Sequence, residues 1–169
     1  MVSVNNQYIS KGGQKVTINP RDRGLRGIMK RAREYVSRRR TSKSIPRAQL
    51  VAEFLFEEIP YDAVGQQKIY SQGGQMAELG EFANSAVCRE KALMGHSILA
   101  DMGKESWVVA GETAFGRHAW VEMIDTITGD WHVMEPTMKG MSRYMERSQY
   151  YSQLGIGQKA LKYFQFLKP

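Results

Sequence analysis

In RDRGLRGIMKRAREYVSRRR, Leu25, Ile28, Met29, Ala32, Tyr35 and Val36 recur at helical spacing while arginines fill the opposite face. That period predicts a basic amphipathic helix. TSKSIP interrupts it, with Ser44 placed to cap a second helix, RAQLVAEFLFEEI, which is apolar at Leu50, Val51, Phe54 and Leu55 and stops before Pro60. Ahead of both helices, residues 1–19 show only a short KVTI alternation and read as an arm. Behind them, YDAVGQQKIYSQGGQMAELGEF is rich in Gly and Gln and reads as a long loop, a feature that often carries function.

A third helical pattern begins near Cys88, is anchored by Ala92, Leu93, Leu99 and Ala100, and meets a stop at Gly103. SWVVAGE, HAWVEMID and WHVMEPT then predict three strands, and TGD marks a hairpin turn between the last two. MSRYMERSQYYSQLG and KALKYFQFL read as helical segments packed on that sheet. Helices first and strands afterwards predict an α+β domain. The division expected is a basic arm and helix over residues 1–47 and a domain over residues 48–169.

Charge sharpens this division. Of the 24 Lys and Arg, 13 lie in residues 1–47 against only Asp22 and Glu34, a balance of +11, and the remainder of the chain carries −4. The basic character is therefore local, and the run's one aromatic, Tyr35, belongs to the apolar stripe, so there is no interleaving of aromatics with arginines of the kind single-stranded nucleic acid would require. Nucleic acid is not the expected partner. The plain reading is solvated arginines over a packed apolar stripe; the sharper one is docking on an acidic protein or an anionic surface.

No apolar run approaches the ~18 residues of a membrane-spanning helix, and MVSVNNQYISKGG lacks the apolar core of a signal peptide. A cytoplasmic location is expected, or secretion by a route that needs no such peptide. The single cysteine excludes an internal disulfide and a thiolate cluster for zinc, and it suits a reducing compartment. The three histidines offer no i, i+4 ligand pair, so neither a metal nor another cofactor is expected.

Candidate chemistry centres on Cys88. A thiolate is the reactive form, and a free thiol with a pKa near ~8.5 needs help to reach it at neutral pH. A helix N-terminus, an imidazole and a carboxylate that orients the imidazole are the usual sources. His96 lies eight residues along the same helix, ~12 Å up its axis, and cannot reach Cys88. His132, inside a strand, reads as structural or cleft-lining. His118, opening a strand beside a glycine loop, is the better base. In a hairpin turning near Thr128–Gly129, His118 and Glu135 share a face but stand about four residues, roughly 13 Å, out of step. A bulge or an earlier turn would bring them level.

These residues carry a resemblance. Val87-Cys88-Arg89-Glu90 with Ala92, His118-Ala119-Trp120-Val121-Glu122, and Trp131 with Glu135-Pro136-Thr137 are similar, in order and spacing, to the motifs of the transglutaminase-like superfamily of cysteine enzymes. The similarity spans about residues 84–138. It implies a papain-like fold, a Cys-bearing helix on an antiparallel sheet, with Cys88 as nucleophile, His118 as general base and Glu135 in the place of the family's aspartate. Two departures stand out: glutamate for aspartate, and Ala86 where many members have glycine.

The implied chemistry is acyl transfer on a protein or peptide amide through a thioester, as in proteases, deamidases and transglutaminases, with hydrolysis ahead of cross-linking. An oxyanion would need donors: the Cys88 N–H and a side-chain amide from Asn84, Gln75 or Gln72, with Trp120 as a substrate-side or core residue. The alternative is a catalytically silent papain-like binding module whose basic helix docks an acidic partner.

Overall fold

The computed structural model describes residues 6–157 and 161–169. A small sheet comes first: β1 (Gln7–Ile9) and β2 (Lys15–Thr17) form an antiparallel hairpin, and β2 pairs in parallel with β3 (Met76–Glu78). The helices α1 (Arg23–Arg39), α2 (Arg47–Glu58) and α3 (Ala63–Gln72) lie between β2 and β3, and a 3-10 helix (Leu79–Asn84) leads into α4 (Cys88–Asp101). A five-stranded antiparallel sheet follows, built from β4 (Trp107–Thr113), β5 (Gly116–Ile124), β6 (Trp131–Met134), β7 (Tyr144–Glu146) and β8 (Lys162–Phe164) in the order β7-β6-β5-β4-β8. The remaining helix, α5 (Arg147–Leu154), connects β7 towards β8. The architecture is a mixed α+β fold.

Strand alternation splits the core in two. Val108, Ala119, Val121, Met123 and Met134 pack with the buried faces of α1, α2 and α4. Val109, Trp120 and Val133 face the other way and pack with Tyr150 and Leu154 of α5. The large sheet is thus sandwiched between the helical layer that carries Cys88 and the short α5.

Besides the expected helical segment MSRYMERSQYYSQLG, which is helical only from Arg147 because Tyr144–Glu146 pairs with β6 as strand β7, four expectations are corrected. The basic helix exists with the expected stripe buried, but residues 6–47 are no appended arm: Leu25 and Val16 share one continuous core with Leu50 and Leu93. Asp22 caps α1 by accepting from the Leu25 N–H at 2.7 Å, and the turn carrying Gly80 presses on it so closely that a Cβ there would sit 1.8 Å from the Asp22 carboxylate. Second, the expected loop over residues 61–82 is mostly ordered as α3, β3 and the 3-10 helix. Asp62 caps α3 at the Gly65 N–H, 2.9 Å away, and the buried side chains Gln66 and Tyr70 bond to Glu90. A polar buried face carries no hydrophobic period. Third, α2 starts without a side-chain cap, at Pro46 rather than Ser44. Fourth, of KALKYFQFL the described part forms strand β8 on β4, with Phe164 and Phe166 packed beside Tyr8. The first five residues of the arm and residues 158–160 lie outside the described residues.

Candidate active site

Cys88 opens α4. Its N-cap, Val87, is extended and offers no side chain to the first-turn N–H groups, which leaves their partial positive charge for the half-buried thiol. Immediately after it, a buried polar network fixes the direction of that turn. Glu90 is fully buried and accepts from Gln66 at 3.0 Å, Tyr70 at 2.7 Å and Arg89 at 2.6 Å. Arg89 also donates to Gln14 and to Tyr70, each at 2.9 Å, which ties α4 to α3 and to the small sheet. Burial of the Tyr70 ring, and after it the charge of Glu90, raise the Tyr70 pKa, so its hydroxyl stays a donor.

The β5–β6 hairpin settles the distance left open by the sequence. Val121 pairs with Met134 and Ile124 with Trp131, so His118 and Glu135 stand two residues out of step rather than four. The turn closes one residue earlier than TGD suggested, because Asp125 folds it: its carboxylate accepts from the N–H groups of Ile127 at 2.8 Å and Thr128 at 2.9 Å. A diagonal of roughly 7–8 Å is within reach of two long side chains. His118 Nε2 and Glu135 Oε2 meet at 2.7 Å.

Glu135 is fully buried and takes four hydrogen bonds. Oε2 accepts from His118 and from the Tyr150 hydroxyl of α5; Oε1 accepts from the backbone N–H groups of Thr137 at 2.7 Å and Met138 at 3.0 Å. Burial pushes its pKa up, but the bonds and charge of His118, with Tyr150 and the Met138 N–H, outweigh burial and lower it. The longer acid is thus anchored at one oxygen and aimed at the ring with the other. Arg143 holds the segment that follows by donating to the Glu135 carbonyl at 2.9 Å and the Met141 carbonyl at 2.7 Å.

His118 is bonded to Glu135 and lies near Cys88. Burial would depress its pKa, but hydrogen bonding to Cys88 and to Glu135, with the charges of both, raises it to about 9. Trp120 stacks on the ring at 6.0 Å between centroids. At neutral pH the imidazole therefore favours its cationic form.

The other candidates fall outside this group. Trp120 is wholly buried and its indole N–H is bonded to Glu122, so it is a core residue, not a substrate contact. Asn84, Gln75 and Gln72 are exposed, and none has a hydrogen bond to Cys88, His118 or Glu135. Gln75 instead serves through its backbone, at φ 70°, where its carbonyl accepts from Lys15 at 2.8 Å. His96 is buried between Ser106 and the N–H groups of Phe166 and Leu167. His132 stacks on Tyr144.

Several residues here went unrecognised in the sequence. Tyr150, Arg143 and the Thr137 and Met138 amides support Glu135 but carry no motif. Tyr8 and Tyr61 come near enough to Cys88 that its charge adds to burial in raising their pKa values. Lys91, one helical turn from Cys88, is buried, and burial and Arg143 lower its pKa to about 8 despite Glu135 nearby. Among the described residues no cluster of three or more His, Cys, Asp or Glu is arranged to hold a metal, and no helix is long and apolar enough to cross a membrane. Comparison with known proteins finds no matching family model, no matching curated protein and no matching solved structure.

Proposed function

We propose that this protein is a papain-like cysteine enzyme that transfers acyl groups from a protein or peptide amide, with water as the usual acceptor. The observation that carries this reading is the 2.7 Å bond from His118 Nε2 to the buried Glu135, with Cys88 near enough to the ring to raise its pKa. Such convergence of a thiol, a base and an orienting acid is recognised by geometry and roles.

The proton that Cys88 gives up is the one held on His118, and the thiolate adds to the amide carbonyl carbon. The oxyanion that forms lies near the uncapped N–H groups of α4, which can donate to it. Collapse breaks the C–N bond, and His118 returns the proton to the leaving nitrogen, releasing an amine and leaving a thioester on Cys88. Water then attacks the thioester with His118 as base, giving a carboxylic acid and the free thiol. Glu135 keeps its proton-free form throughout and holds the ring.

The test is mass spectrometry of candidate polypeptides after incubation. Cleavage, a one-dalton gain at glutamine, or a cross-link would each register as acyl transfer and separate the three outcomes, and Cys88→Ala should abolish it with the fold intact. Unchanged substrates across a broad peptide library, with no thioester mass on Cys88, would favour the silent binding module.

A further inference from the structure

A second concave site lies at the opposite end of the thiol-bearing helix. Arg23, Arg26, Lys30 and Arg33 follow one another on α1 at intervals of three, four and three residues, a stripe of ~15 Å. With Arg21 and Lys168 they line a groove of about 790 Å³ whose other wall includes the last turn of α4. Only Arg33 is neutralised, by Asp101; among the described residues the other five cations have no carboxylate partner. Like charges so close repel one another, and an anion in the groove relieves that repulsion.

The choice of anion follows from what surrounds it. The apolar stripe of α1 is buried in the core, so the helix has no free apolar face to insert into a bilayer. No aromatic side chain lines the groove, so bases have nothing to stack on. Carboxylates on alternate residues of an extended peptide recur every ~6.6 Å, close to the ~4.5–6 Å steps between successive cations. Cys88 and Asp101 stand at opposite ends of α4, ~20 Å apart at ~1.5 Å per residue. We infer that this groove is an exosite for an acidic segment of a polypeptide substrate, separated from the reacting amide by at least about six extended residues. The exosite role rests on the acyl-transfer reading; the binding does not.

The experiment has two arms on the full chain. In the first, fluorescein-labelled decaglutamate is titrated into Cys88→Ala protein and followed by anisotropy. Saturable binding is expected, weakened at least tenfold by Arg26→Glu/Lys30→Glu and less than twofold by Arg38→Glu/Lys68→Glu, which changes net charge equally. Arg26→Gln/Lys30→Gln serves if charge reversal impairs folding. No saturable binding, equal weakening by both pairs, or tighter groove-dependent binding of oligouridylate or phosphatidylserine vesicles overturns the inference. In the second arm, an acidic tag with a spacer of six or more residues lowers KM for a turned-over peptide, leaves kcat unchanged, and loses its effect in the groove variant. A tag without effect on KM overturns the exosite role. Binding of decaglutamate by a protein that turns over no peptide counts against Cys88 as nucleophile and leaves the groove standing as an acidic-peptide site.

Discussion

Replacing Glu135 by Gln tests how the imidazole is charged. The side chain keeps its length and can still accept from the Thr137 and Met138 amides, but it loses its charge and presents an NH₂ group to His118 in place of an acceptor. In the native protein the ring's pKa rises from 6.5 to about 9 against the opposing effect of burial. That lift of about 2.5 pH units corresponds to ~3 kcal/mol of preference for the cation. Cys88 and Glu135 supply it between them, each by hydrogen bonding and by charge. Because they must also overcome burial, equal shares would each exceed half of the net lift. Removal of Glu135 should therefore lower the midpoint by at least about one pH unit, to below ~8. Imidazole resonances followed by NMR from pH 4 to 10 measure it directly, since the chain has only three histidines and burial lowers that of His96 to about 4. A His118 midpoint unchanged in Glu135→Gln would refute the assignment of the carboxylate as the group that holds the ring charged.

Other consequences concern the scaffold. Glu90→Gln leaves the nearly buried Arg89 without its charged partner and should cost about 3–5 kcal/mol in urea unfolding, as breaking buried pairs does. His96 is buried neutral, with a folded pKa lowered from 6.5 to about 4, so its stabilising effect is complete above pH 6.5 and lost as pH falls towards 4. Unfolding free energy should drop by roughly 2 kcal/mol between pH 7 and 5 from this group, with loosening of the Phe166–Leu167 segment visible by amide exchange. Gly80→Ala drives a methyl group into the Asp22 cap of α1 and should destabilise by at least about 2 kcal/mol in thermal melts. For the same reason deletion of residues 1–47 removes part of the core, and should unfold the chain rather than trim it.

The parts of the molecule that are legible in the sequence are those whose buried faces are apolar. The stripe on α1, the core residues of α2 and α4, and the alternation of β4, β5 and β6 all follow one period or the other, and Gly103 sits at φ 74° where α4 stops. The segment 61–82 hid its helix because what it buries, Gln66 and Tyr70, is directed at a carboxylate on another helix. KYFQF places Phe164 and Phe166 two apart, a strand period obscured by the neighbouring lysines. At the site, facing was readable and reach was not. Parity put His118 and Glu135 on one face, but the register depended on Asp125 folding the turn early, and the anchoring of the longer acid depended on Tyr150 and two backbone amides distant from any motif.

The measurement closest to the core of this account is the rate at which iodoacetamide alkylates Cys88 at pH 6.5, in native protein and in protein unfolded by urea. There is one thiol in the chain, so the rate reports that sulfur alone. An imidazolium at His118 and an uncapped helix terminus predict faster alkylation in the native state, with the advantage reduced in His118→Gln. Slower or equal alkylation of the folded protein would contradict it, because a sulfur without those partners is just a sheltered thiol.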